Sequence, residues 1–97
     1  MIVEIKEYVT AGMDGITEKV EAIPLNIANF NCFMFYDKGR QEWNVSHLET
    51  GMKICCGDRM KFVVEESERR LTKNPEAIEK GKEFLIKNKH TFPINER

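Results

Sequence analysis

A chain of 97 residues, 41% hydrophobic and 32% charged, fits one domain with one hydrophobic core and little room for a buried active-site cleft. That balance excludes a disordered chain, and no run approaches the roughly 18 apolar residues of a membrane-spanning helix. The net charge of −1 hides an asymmetry: residues 1–57 carry five Lys and Arg against eight Asp and Glu, and residues 58–90 carry nine against seven.

The first strand is expected over residues 2–9, where Val3, Ile5 and Val9 alternate with Glu4, Lys6 and Tyr8. Asp14-Gly15 supplies a hairpin return, and a second strand follows from about Ile16 to Ile23. Pro24 lacks a ladder donor and Asn26 and Asn29 favour local backbone bonds, so 24–29 reads as a bend. Residues 30–36 set Phe30, Cys32, Met34 and Tyr36 against Phe33 and Phe35, as in a central strand with two apolar faces.

After the turn at 37–40, Glu42–Leu48 places Trp43, Val45 and His47 on one face. Glu49-Thr50-Gly51 turns the chain into Met52–Cys56, with Met52, Ile54 and Cys56 aligned and Lys53 and Cys55 opposite. Gly57-Asp58 then opens a helix of about 58–72 with Asp58 as its cap and Met60, Val63, Val64 and Leu71 as its stripe. Asn74-Pro75 starts a second helix, with Ala77, Ile78, Gly81, Phe84 and Leu85 on its apolar side, ending near Lys89. Thr91–Ile94 reads as an extended tail. The expectation is a single α+β domain over 1–97: about five antiparallel strands in a meander, then two C-terminal helices.

No constellation of catalytic type stands out, and a non-enzyme without a cofactor is expected. Cys55 and Cys56 are adjacent, so on a strand they point to opposite faces and do not converge on a metal. The glycines stand near turns rather than in a phosphate-cradling loop, and Glu65, Glu66 and Glu68 interleave with Arg69 and Arg70 as a solvated helix face does. An odd number of cysteines and a start without signal-peptide features give a cytoplasmic address with free thiols and no membrane partner.

A binding surface is the better reading. If helices cover only one sheet face, Phe33, Phe35 and Trp43 are the natural anchors of an open face, for a partner or for a homodimer. If instead the tail carrying Phe92 and Ile94 covers that face, these rings are core. Arg59, Arg69 and Arg70, with Lys61 and Lys73, either form a solvated face or touch phosphate or an acidic partner. Their surplus is too diffuse to predict direct, tight nucleic-acid binding.

The run Trp43-x-Val45-Ser46-x-x-x-Thr50-Gly51-x-x-Ile54-x-x-Gly57 leading into an amphipathic helix resembles a pattern in small bacteriophage and mobile-element accessory proteins. The likeness covers about residues 30–72, with Asp58-Arg59-Met60 in place of the usual Thr-Arg-Lys-like helix opening. A weaker likeness is to HicB-like antitoxin domains, where a hairpin ending in glycine also feeds a helix. The first resemblance implies an inhibitor of a host defence or regulatory protein or ribonucleoprotein, CRISPR inhibitors included. The second implies an antitoxin-like or nucleic-acid-associated regulatory domain.

Overall fold

The computed structural model describes residues 5–11 and 17–87. Their elements are β1 (Lys6–Ala11), β2 (Thr17–Ile27), β3 (Phe30–Asp37), β4 (Glu42–His47), β5 (Lys53–Gly57), α1 (Met60–Lys73) and α2 (Glu76–Lys87). The five strands form one antiparallel sheet in chain order, so the chain has the expected α+β arrangement, with the two helices following the sheet. The Asp14-Gly15 return, the start of the first strand, the end of the second helix near Lys89 and the Thr91–Ile94 tail lie outside the described residues.

Of the bend expected at 24–29, only Ala28-Asn29 turn, and β2 occupies 24–27 as strand. It pairs with β1 through Thr17–Ala22 and with β3 through Ile23–Ile27. Ala28 (φ 51°) and Asn29 (φ 71°) form a two-residue hairpin with two positive φ angles, which makes Ile27 and Phe30 its first hydrogen-bonded pair. Bonded and non-bonded pairs alternate from there, so Pro24 opposite Phe33 falls on a non-bonded pair and its missing N–H removes no bond to β3.

One face of the sheet is closed by the helices. Ile27, Cys32, Met34, Val45 and Cys55 meet Val63, Leu71 and Ile78 there in a continuous core. The other face is covered by the chain's own first two strands. Tyr8 stacks on Phe33 at 4.8 Å, and the Ala11 N–H donates to Gly51 O at 2.9 Å, so the β1–β2 ribbon curls across β3 to the far turn. The right-handed twist general to β-strands accumulates over the 11 residues of β2 and favours such a curl. Phe33 is therefore 0% exposed, in a core of its own with Tyr8, Ala22 and Leu48, which answers for Phe33 the open-face and core alternatives in favour of core. The same curl reverses the expected facing of β1: Tyr8 is buried, whereas Ile5 is 63% exposed.

A bulge corrects the reading of β5. Val45 opposes Cys55 while Ser46 opposes Lys53, which leaves Ile54 as an extra residue. The bulge shifts the alternation by one, so Cys55, not Cys56, enters the helix-side core. α1 also begins later than expected: Arg59 holds the cap position in extended backbone, its carbonyl accepting from Val63 N–H at 3.1 Å. Asp58 stands one residue too early, and no side chain caps the helix.

Candidate functional site

The six sequence-selected residues separate into three places. Phe33 lies in the ribbon-side core, with Phe35 half-buried beside it at a ring distance of 6.2 Å. Trp43 and Arg59 lie at the β5–α1 junction. Arg69 and Arg70 lie on the last turns of α1, near the start of α2.

At the junction, Trp43 packs edge-to-face on its strand neighbour Tyr36 at 5.2 Å, and Tyr36 is 44% exposed. Trp43 also faces Gly57 across the β4–β5 ladder, and a Cβ added at Gly57 would come within 2.9 Å of the Phe62 ring. The glycine thus opens the space over which Phe62 lies, at the strand position opposite Trp43, and the Phe62 ring is 51% exposed. Met60 and Arg59, both exposed, adjoin at the helix start. A partly solvated group of Tyr36, Trp43 and Phe62 with a cation at its margin has the composition of a contact hot spot. Sequence periodicity missed Phe62 because it falls outside the α1 stripe; its nearness to Trp43 depends on how α1 leaves the sheet.

At the other end of α1 the arginines are committed to local partners. Glu66 accepts from Arg69 Nη2, from Arg69 Nε at 3.1 Å and from Arg70 Nε at 3.3 Å. The Arg69 guanidinium, followed by Arg70, holds the Glu66 carboxyl below its ordinary pKa. Arg70 Nη1 also donates to Ile54 O at 2.8 Å, satisfying a carbonyl of the bulged residue. That bond blunts the outer edge of β5, an edge that otherwise invites strand addition.

Between α1, α2 and the β4–β5 turn is a groove of about 320 Å³. Its walls include Met52, Ile54, Leu71 and Ile78, and Lys53, Arg69, Arg70 and Lys73 contribute its cations. Gly81 lets Met52 lie close to α2, since a Cβ there would come within 3.1 Å of the Met52 sulfur. His47 also lines the groove. Its Nδ1 accepts from Thr50 N–H at 3.3 Å and lies 3.1 Å from Thr50 Oγ1, while Met52 N–H donates to that oxygen at 3.2 Å. An Nδ1 that accepts from a backbone amide carries no proton, so the ring hydrogen is on Nε2. Burial lowers the His47 pKa; Glu49 opposes the shift and Lys82 adds to it.

Cys32 stands directly opposite His47 on the neighbouring strand, a juxtaposition that strand assignment alone did not bring out. It is not a nucleophile's environment. Burial pushes the Cys32 thiol up to about 12, and the thiol donates to Phe30 O at 3.6 Å. Cys55 is likewise raised, chiefly by burial. Among the described residues no three His, Cys, Asp or Glu side chains gather as a metal site, and no helix is long and apolar enough to cross a membrane. No family model, curated protein or solved structure matches the chain.

Proposed function

We propose that this protein is a non-catalytic, phage-type accessory protein that binds and inhibits a host defence or regulatory protein, with Tyr36, Trp43 and Phe62 as its anchor. The observation that carries the binding reading is this set of rings: Tyr36 packed edge-to-face on Trp43, and Phe62 over Gly57, the residue opposite Trp43, with Tyr36 and Phe62 substantially exposed. Desolvating such rings against a partner is strongly favourable, and their limited side-chain entropy keeps the cost of ordering low. The phage context rests on the sequence resemblance, and CRISPR inhibition is one form it takes.

The test is capture of a partner from lysate of a host cell, with identification by mass spectrometry and reconstitution of inhibition with the purified partner. Phe62→Ser and Trp43→Ala are expected to abolish capture while Phe62→Ser retains the wild-type circular dichroism and melting profile. Undiminished capture by both variants overturns the anchor. A light-scattering mass of two chains that falls to one in Phe62→Ser assigns the same rings to a homodimer. A gel shift at nanomolar protein with a defined duplex favours the antitoxin-like alternative.

A further inference from the structure

The first half of β2 has an open edge. Ala11 directs its N–H away from β2, onto Gly51 O, so Ala11 and Thr17 are a non-bonded pair. Alternation then makes Val9–Lys19 and Glu7–Glu21 non-bonded as well. The β2–β3 ladder gives the same parity independently: counted from the bonded pair Ile27–Phe30, its last rung joins Ile23 to Met34, and Glu21, two residues earlier, directs its backbone groups to the same side. The N–H and C=O groups of Lys19 and Glu21 therefore point away from β1, beyond the end of the β2–β3 ladder, and no strand pairs with them among the described residues. Both residues are exposed. Glu18, Val20, Glu21 and Ala22 also line an open cavity of about 900 Å³, so room for a further strand adjoins this edge. A second observation is the charge pattern. Glu21 stands directly opposite Glu7, a like-charge pair at the closer type of rung, and Lys19 reaches Glu7 at 4.0 Å while Glu21 forms no ion pair among the described residues.

We propose that two copies of the chain associate through this edge, β2 of each running antiparallel to β2 of the other about a two-fold axis at Val20. In that register Lys19 stands opposite the partner subunit's Glu21, and Glu21 opposite the partner subunit's Lys19. Both are hydrogen-bonded rungs, each exchanging two N–H···O bonds. The like-charge pair of Glu7 and Glu21 gains a cation beside it. Val20, half-buried against the ribbon-side core, meets the partner subunit's Val20 at the axis and continues that core across it. The neighbouring registers that keep the bonded rungs, two residues away, set Lys19 against Lys19 or Glu21 against Glu21, so the charges select this one. The outer edge of β5 offers no equivalent, since Arg70 occupies the Ile54 carbonyl.

Sedimentation equilibrium of the full chain up to about 500 µM is expected to reach a two-chain mass, with a Kd at or below about 100 µM. Lys19→Glu and Glu21→Lys each place like charges at both rungs and are expected to weaken association about tenfold or more, whereas the double variant Lys19→Glu/Glu21→Lys restores it. Glu21→Lys also sets a cation opposite Glu7 within the chain, so at low concentration it is expected to melt no lower than the wild type, which separates lost association from lost fold. Hydrogen exchange reads the same edge directly. The Lys19 and Glu21 amides are expected to gain protection as concentration rises, and the Val20 amide, which faces Tyr8 within the chain, to change little. A mass of one chain throughout, a two-chain species with unprotected Lys19 and Glu21 amides, or single variants that associate as the wild type does each overturn the proposal. Host-protein capture that Glu21→Lys abolishes, from a chain that stays single, assigns the edge to a strand of that protein and overturns it too. Phe62→Ser keeps the two-chain mass, so the outcome is independent of the aromatic anchor.

Discussion

The two faces of the sheet are closed by different means. The helix face is covered by residues that follow the sheet in sequence, and its core is mostly aliphatic, built around Val45, Val63, Leu71 and Ile78. The opposite face is covered by the sheet itself, through a ribbon that brings Tyr8 onto Phe33, and buried polar Asn44 and Ser46 lie toward it. Covering helices announce themselves by a 3.6-residue stripe, whereas a curling ribbon alternates like any flat strand. A rich apolar face is therefore poor evidence of an open surface when a long neighbouring strand can bend its partner over it.

The sharpest way to break this comparison is truncation of Phe33. Phe33→Ala is expected to cost about 3–5 kcal/mol in urea unfolding, as for a fully buried ring, and Phe35→Ala markedly less. Equal, small losses at both positions would mean that the ribbon does not seal this face. On the helix face, Val63→Ala removes two methyl groups from a fully buried site and is expected to cost about 2 kcal/mol by the same measurement.

Among the described residues each face also buries a polar oxygen without a hydrogen-bond partner, Tyr8 Oη on the ribbon side and Ser67 Oγ on α1. Removing a buried unpaired hydroxyl relieves its desolvation, so Tyr8→Phe and Ser67→Ala are each expected to stabilise by about 1 kcal/mol, Ser67→Ala with added helix propensity. Destabilisation at either position, measured by thermal melting, would reveal a partner for that oxygen. Ala28→Gly at the hairpin is expected to stabilise by a similar amount, about 1 kcal/mol, because its φ of 51° strains an L-residue.

The smallest effect concerns pH. The His47 pKa is lowered in the folded state, so the unfolded chain binds the proton more readily. Stability from this group is complete above the ordinary value of 6.5 and is lost as pH falls through it. The lowered Glu66 pKa acts in the same direction, but only as pH falls below 4.5. Denaturant midpoints between about pH 7 and pH 5 are expected to fall in the wild type and to flatten in His47→Gln.

The meander and both helices were legible because alternation and stripe were clear at Phe30–Tyr36, Glu42–Leu48 and Met60–Leu71. Pro24 was misread because a single sequence does not show which side of a strand is unpaired, and the Ile54 bulge because an inserted residue leaves no compositional mark. Of the candidate site, Trp43 and Arg59 were found without their neighbour Phe62. The groove was not visible at all, since His47, Lys53 and Lys73 converge only through the turn and the approach of α2.

The hydrogen bond from Ala11 to Gly51 bears on the order of assembly. Its acceptor does not exist as a fixed point until β3, β4 and their turns have formed, whereas the strand ladders join immediate neighbours in the chain. Local hairpins close quickly, and a contact across four strands carries the entropy of ordering all of them first. The β1–β2 ribbon is thus the last piece to dock and the first to lift. Native-state hydrogen exchange should resolve the Ala11 amide as opening sub-globally, ahead of the β3–β4 amides that open only when the whole domain unfolds.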